Sequence, residues 1–393
     1  MKIVINAASA KMGGAVTYLT NLLRHLPPPE SGHEFLVLLP PGTAGAQKNL
    51  APNVKLFPAP VGNAGPWKRI WWSQVTLRSF LKRHSADVLF SSANFGMFFC
   101  PIRQVLLIQN LLYFSDIYQQ MFLPRHRLRK KINFRLRRWL LCRSAQAADV
   151  VMTPSEAMLE ALREYTHLPA SKAMVNSYGV SALRGRPGAP PQPHGPTHSR
   201  VVVLAFPSLY AEHKNLGTLL RALPILNGEE GRRFILRTTA DPDDGLDHRT
   251  ARRKEDLDLS RQPEIARQVE FLNRTDWQQA QELYQHADIL VSPSLVESFG
   301  YPLVEAMAHG LPVVAADTEI NREICAEAAL YFTPRSPEDL TRAVREVAGD
   351  AALRERLIAA GKERVDRRFR WSEHVARLLE TISARNGNDS GRG

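Results

Sequence analysis

Cysteine is scarce in this chain of 393 residues, which holds only Cys100, Cys142 and Cys325. The three show no paired or metal-like spacing, which excludes a disulfide framework and points to a reducing compartment. Long apolar runs are missing as well. The most apolar region, Val88 to Ile108, is broken by Ser91, Ser92, Asn94, Pro101 and Arg103 and should not span a bilayer. The opening MKIVINAAS lacks the basic start and apolar stretch of a secretory leader and reads instead as a first β-strand. The expectation is a soluble or peripheral protein, cytoplasmic and, where it docks, at the inner face of the cell membrane. No nucleic-acid recognition motif occurs, so nucleic acid is not an expected partner.

Acidic residues are also few in the first half. Residues 1–180 hold 22 Lys and Arg against 8 Asp and Glu, whereas the rest hold 29 against 31, so the excess positive charge lies in the first half. The densest stretch, LPRHRLRKKINFRLRRWLLCR over 123–143, has no acid at all. Leu128, Ile132, Leu136, Trp139 and Leu140 recur there at helical spacing and predict an amphipathic basic helix. Such a helix is either a solvated charged face on ordinary packing, or a contact for anionic headgroups or an anionic acceptor. Trp67, Trp71 and Trp72, beside Lys68 and Arg69, favour the second reading, because Trp and basic residues suit a lipid interface.

The length allows two α/β domains with their own cores. Strand-like runs alternate with helical patterns: IVINAA, EFLVLL, DVLF, QVLLI and DVVMT in the first half, VVVLAF, RFILRT, VEFL, DILVSPS and PVVAA in the second. This alternation predicts parallel sheets built from βαβ units, two doubly wound Rossmann-like domains facing across a cleft. The expected division is 1–183, a Pro/Gly-rich linker over 184–200, and a second domain over 201–368. A helix over 369–382 packs back on the first domain, and a polar tail over 383–393 is disordered.

Within SLVESFGYPLVEAMAHGLPVVAA, residues 294–316, Glu297 and Glu305 flank a glycine turn that leads into a short helix. A loop carboxylate, a helix carboxylate and the helix's first amides can hold a phosphorylated sugar: the amides face the phosphate and the carboxylates accept from hydroxyls. Gly13 and Gly14 form a tight turn after the first strand, which suits either close approach of a phosphate or a purely structural turn. Lys214 precedes a helix after the first strand of the second half. There it is either a solvent-facing lysine or a partner for a diphosphate.

From VEFLNRTDWQQAQELYQHADILVSPSLVESFGYPLVEAMAHGLPVVAADTEINREICAEAALYFTP (269–334) onward, the chain resembles the retaining, group 1 (family 4) glycosyltransferases of the GT-B fold. PEDLTRAVREV extends the likeness, and DVVMTPSEAMLEAL, NSYGV and GGAVTYLTNLL resemble parts of the family's first domain. The resemblance implies a metal-independent hexosyl transfer from a nucleotide-diphosphate sugar, a co-substrate rather than a cofactor, to an envelope glycan or lipid-linked acceptor. It implies that Glu305 binds the ribose and that Glu297 attends the transferred sugar. The backbone of Ser298, Phe299, Gly300, Tyr301, Pro302 and Leu303 would border the donor. Lys214 would neutralise the leaving diphosphate, and Gly13 and Gly14 would let the first domain close on it.

The chain departs from the family pattern at three places. PSLYAEHK has no arginine ahead of Lys214, a charge that Arg237 or Arg274 would have to supply. RFILRTTAD lacks a glycine, and Gln109 and Asn110 stand where a His-Asp pair is usual. Neutral amides at this acceptor-side position bind hydroxyls but make poor bases, which leaves acceptor deprotonation to the departing phosphate. Asp241 and Asp243 read as loop residues, so no metal site is expected. Alternative readings are a nucleotide-sugar epimerase or hydrolase of this fold, and a degenerate donor-binding scaffold.

Overall fold

The computed structural model describes residues 1–11, 13–43, 50–92, 94–180, 201–228, 232–243, 251–272 and 282–384. The expected linker over 184–200, Arg274 and the tail from residue 385 lie outside these residues. The chain forms two compact units: Met1–Phe114 with Ile132–Gly179 and the segment from Arg370, and Ser115–Lys131 with Val180–Phe369.

In the first unit, β1 (Lys2–Asn6), β2 (Glu34–Leu39), β3 (Val54–Pro58), β4 (Val88–Ser91), β5 (Arg103–Leu107), β6 (Val150–Thr153) and β7 (Ala173–Val175) form one sheet in the order β3-β2-β1-β4-β5-β6-β7. Pairing is parallel, with Ile3 opposite Phe35 on one side and Val88 on the other. Ile3, Val4 and Ile5 are buried, as the central strand of a parallel sheet covered on both faces requires. The first unit's helices are α1 (Gly14–His25), α2 (Pro66–Gln74), α3 (Thr76–Arg83), α4 (Leu128–Ala147), which begins four residues before Ile132, and α5 (Glu156–Thr166). Leu77 and Leu81 of α3 pack under Val4, Leu36 and Leu89.

The second unit's sheet contains β8 (Val201–Phe206), β9 (Arg233–Thr238), β10 (Val269–Phe271), β11 (Ile289–Ser292), β12 (Val313–Ala316) and β13 (Ala329–Phe332) in the order β10-β9-β8-β11-β12-β13, again parallel. Its helices are α6 (Leu216–Asn227), α7 (Ala251–Ser260), α8 (Pro263–Ala266), α9 (Tyr301–Ala308), α10 (Glu319–Cys325), α11 (Pro337–Gly349) and α12 (Ala351–Arg368). Leu219 and Leu223 of α6 and Leu340 and Val344 of α11 close one core with Leu204, Leu236, Val291 and Val314.

The last helix, α13 (Trp371–Ser383), lies in the first unit. Its His374 Nε2 is 3.1 Å from the Tyr18 hydroxyl of α1, and the Asn176 amide donates to the His374 carbonyl at 3.0 Å. Trp371 stacks on Tyr178, with ring planes 9° apart. Gly179 admits no Cβ, because one would collide with the Trp371 backbone nitrogen. Burial pushes His374 down to about 4, so this aromatic cluster is neutral at pH 7.

Helix α4 forms where predicted, but its apolar stripe is not the packed face that the first of the two readings required. Its apolar stripe faces outward, with Leu128 72%, Ile132 57%, Leu136 43% and Trp139 57% exposed, and the helix buries Leu141, Ser144 and Ala145 instead. Two of its arginines turn inward because aromatic partners await them. Arg138 lies 4.7 Å over the Tyr165 ring, and Arg137 Nη1 is 3.4 Å from the Tyr113 hydroxyl. Arg135 and Arg143 stay exposed beside the stripe. Among the described residues no helix is long and apolar enough to cross a membrane.

Trp371→Ala should lower unfolding free energy by about 3–5 kcal/mol in urea titration. Trp139→Ala should stay within about 0.5 kcal/mol of the parent. Comparable losses would mean that the α4 stripe is core.

Candidate functional site

In the second sheet the chain order reverses between β8 and β11, and such a switch point opens a crevice at the strands' carboxyl ends. The loops leaving these two strands are fastened together. The Leu295 amide donates to the His213 carbonyl at 2.9 Å, and the Asn215 amide side chain donates to the Pro293 carbonyl at 3.1 Å. Lys214 ends a short 3-10 turn, Glu212–Lys214, and its ammonium pairs with the Glu297 carboxylate. Both side chains are sheltered, 19% and 13% exposed, so salt screens this pair less than an ordinary surface pair. Burial and the Lys214 charge push His213 down to about 3, leaving it neutral beside the pair.

Gly300, in the left-handed region at φ 81°, turns the loop into α9. A Cβ there would stand 2.9 Å from Leu303 Cδ1, the movable end of a side chain, so it is the backbone conformation that favours glycine. Pro302 occupies the first turn, and no side chain caps α9. Phe299 is buried edge-on against Phe369 and Tyr301, and Leu303 is buried, so these two side chains anchor the turn and only their backbone can meet a ligand. Ser298 is half-buried in the same loop.

Glu305 lies one turn along α9. It accepts a 2.6 Å hydrogen bond from the Tyr284 hydroxyl, and Tyr284 stacks on His309 at 5.0 Å. Burial raises the Glu305 carboxyl to about 7, with the Tyr284 bond pulling the other way. A carboxyl so poised accepts hydroxyl donors readily once ionised.

Gly13 and Gly14 lie in the first unit, exposed at the carboxyl end of β1. Gly13, at φ 59° and ψ −147°, precedes α1 in a conformation reserved to glycine, and neither a capping side chain nor a first-turn acid occupies that helix start. Gln109 is tied at both ends: its amide donates to the Ser92 carbonyl at 2.7 Å and its oxygen accepts from the Tyr178 hydroxyl at 3.2 Å. Asn110 instead borders a cavity. Arg237 pairs with Glu270 at 2.6 Å on the neighbouring edge strand. The Asp243 amide donates to Asp241 Oδ1 at 2.7 Å, and the Asp243 carboxylate pairs with Arg261 at 2.9 Å.

Two residues escaped the sequence reading. Tyr284 is one, and its tyrosine in QELYQHADIL carries no motif of its own. Arg252 of α7 is the other: its Nη2 is 3.4 Å from Asn215 Oδ1, next to Lys214, a meeting that no linear spacing announces.

The family described as Glycosyl transferases group 1 matches residues 197–364, and Glycosyltransferase Family 4 matches residues 12–182. An uncharacterized glycosyltransferase of Methanocaldococcus jannaschii is 26% identical over 46% of this chain and 44% of its own length. A phosphatidyl-myo-inositol mannosyltransferase of Mycobacterium leprae is 34% identical over 30% of this chain and 33% of its own. The chain thus aligns with less than half the length of these relatives. Among solved structures, sucrose-phosphate synthase from Thermosynechococcus elongatus superposes with a TM-score of 0.72 at 17% identity, covering 97% of this chain and 98% of that one. WaaG, a glycosyltransferase involved in lipopolysaccharide biosynthesis, gives 0.71 at 16%, covering 98% and 100%. Anabaena HepE in complex with UDP-glucose gives 0.69 at 18%, covering 98% and 99%. The two family matches together take in most of both units, and the chain belongs to the group 1 glycosyltransferases of the GT-B fold.

Proposed function

We propose that this protein transfers a hexose, with retention and without a metal, from a nucleoside-diphosphate sugar to a glycan or lipid-linked acceptor of the cell envelope. The observation that carries the reading is the meeting of Lys214 and Glu297 at the switch point of the second sheet, beside the start of α9. The complex of HepE with UDP-glucose and the phosphatidyl-myo-inositol relative support the donor and acceptor classes. Departure of a nucleoside diphosphate builds negative charge on its terminal phosphate. The Lys214 ammonium and the first amides of α9 stabilise that charge, and Glu297 stabilises the positive charge growing at the anomeric carbon. Glu305 accepts from the ribose hydroxyls. The acceptor hydroxyl loses its proton to the departing phosphate oxygen, and Asn110 serves as a hydrogen-bond donor on the acceptor side.

Lys214→Ala and Glu297→Ala should each reduce transfer by roughly 10²–10³-fold, with circular dichroism unchanged. Turnover near the parent's in either variant would sink the assignment. Donor consumed or isomerised without an acceptor would favour hydrolysis or epimerisation instead, and NMR of the product's anomeric carbon tests retention.

The raised Glu305 value sets a sign for pH. The folded state favours the neutral carboxyl. That contribution to stability is complete below about 4.5 and is lost as pH rises through about 7. Glu305→Gln should therefore be more stable than the parent at pH 8 by about 1–3 kcal/mol, with the gap closing under acid. Because ribose hydroxyls donate to the ionised form, the parent should bind UDP or GDP sugars more tightly at pH 8 than at pH 6. The variant should bind weakly at both. A pH-independent parent affinity, read by calorimetry, would remove Glu305 from the ribose site.

The outward stripe of α4 and the exposed Trp67 and Trp71 of α2 form the surface for anionic lipid. Changing Ile132, Leu136 and Trp139 together to serine, or Arg135 and Arg143 to glutamine, should release the protein from phosphatidylglycerol vesicles. The arginine pair should matter less at high salt. Unchanged co-sedimentation would mean that this face is only solvated.

A further inference from the structure

The first sheet has its own switch point, between β1 and β4, and a cavity of about 270 Å³ sits there, near the lower end of ligand pockets at ~300–1,000 Å³. Its wall comes from the carboxyl ends of β1 and β5 (Asn6, Asn110), the loop after β4 (Asn94), α2 (Arg69, Trp72) and α4 (Arg137). Among the described residues that line it there is no Asp or Glu.

The polar groups are biased toward donation. The Ala8 backbone N–H donates to Asn6 Oδ1 at 3.4 Å, the Gln109 backbone N–H to Asn94 Oδ1 at 2.7 Å and the Leu112 backbone N–H to Asn110 Oδ1 at 3.1 Å. A backbone N–H can face only the carbonyl oxygen of an asparagine, so these contacts fix all three amides with their NH₂ groups left to donate. Two guanidiniums join them. Among the described residues, Arg137 reaches the Tyr113 hydroxyl at 3.4 Å and its buried Nε finds no partner. Burial and the Arg137 charge together pull Arg69 below the ordinary arginine value. Two partly desolvated cations facing one cavity without a carboxylate repel each other, and an anion bridging them relieves both the repulsion and the unmet donor.

We propose that this cavity binds a phosphate ester, gripped by Arg69 and Arg137 and by the amides of Asn6, Asn94 and Asn110. The role of that ester as the anionic part of the sugar acceptor rests on the glycosyl-transfer reading above; its binding does not. Trp72 and Tyr113 supply the apolar and aromatic wall that a bare ion would not need, which favours an ester over inorganic phosphate.

The test is calorimetry on the full chain with inorganic phosphate, glycerol 3-phosphate, short-chain phosphatidic acid and glycerol, with UDP titrated in parallel. Glycerol 3-phosphate or phosphatidic acid should bind, and glycerol should not. Preference for phosphatidic acid identifies a lipid headgroup as the source, and equal binding identifies a soluble ester. Arg69→Gln with Arg137→Gln should weaken binding at least tenfold while UDP affinity holds. Asn110→Asp keeps the acceptor that caps Leu112 but places a carboxylate in the cavity, and it should weaken the ester to a similar degree. Thermal midpoints near the parent's show that both variants fold. Ester affinity undetected in the parent, or unchanged in both variants, overturns the proposal. Ester binding without UDP binding would leave the cavity assignment standing and bring down the transferase reading.

Discussion

A parallel sheet cannot turn back on itself with a tight hairpin, so every strand must be reached by a crossover that covers one face or the other. Both sheets here start from a central strand, β1 or β8, and build outward on one side before returning to build on the other. Where the direction changes, no crossover covers the carboxyl ends of the two middle strands. Lys214 with Glu297, and Arg69 with Arg137, lie at these two places. Elsewhere the central strands are apolar on both faces, and the helices exist largely to bury them.

The two switch points are charged in different ways. At the second sheet, Lys214 finds Glu297, and the loops that carry them are bolted together by main-chain and asparagine bonds, so charge is placed without being left unmatched. At the first, Arg69 and Arg137 have no carboxylate between them, and three asparagines turn their oxygens away into the backbone. On the proposed function, the matched pair would exchange partners when a diphosphate arrives, and the unmatched pair would take up an anion brought from outside.

The central elements were legible because buried parallel strands write themselves as apolar runs. IVIN, VVVLAF and DILVS stand at the centres of their sheets, where both faces are covered. The strands missing from the sequence reading, β3, β7 and β13, all lie at sheet edges, where shorter and less apolar segments suffice. Glu297, Lys214 and Glu305 were legible because they sit on one loop-helix pattern and on the loop after the first strand of their sheet. The Tyr284 bond to Glu305 and the approach of Arg252 to Asn215 were not, since they join segments remote in sequence through side chains of common type. Gln109 is a further case. Its position after β5 made it an acceptor-side candidate, and the bonds to Ser92 and Tyr178 that already engage each end of its side chain could not be read from that position.

Helix α4 shows why periodicity alone does not say which face is buried. A stripe of apolar residues at helical spacing normally marks the buried side, yet burying Leu128, Ile132, Leu136 and Trp139 would turn Arg137 and Arg138 to solvent. Those two arginines are held by Tyr113 and Tyr165, and Leu141 with Ala145 fills the contact with the sheet. The helix therefore has two working sides. One brings Arg137 to the cavity at the first switch point, and the other presents Ile132, Leu136 and Trp139 outward among arginines. A phosphate ester carrying an acyl or polyprenyl chain has the same division, an anionic head and an apolar body. On the proposed function, one helix that meets both parts would couple surface docking to acceptor capture, and the basic excess of the first half would serve the substrate rather than solubility.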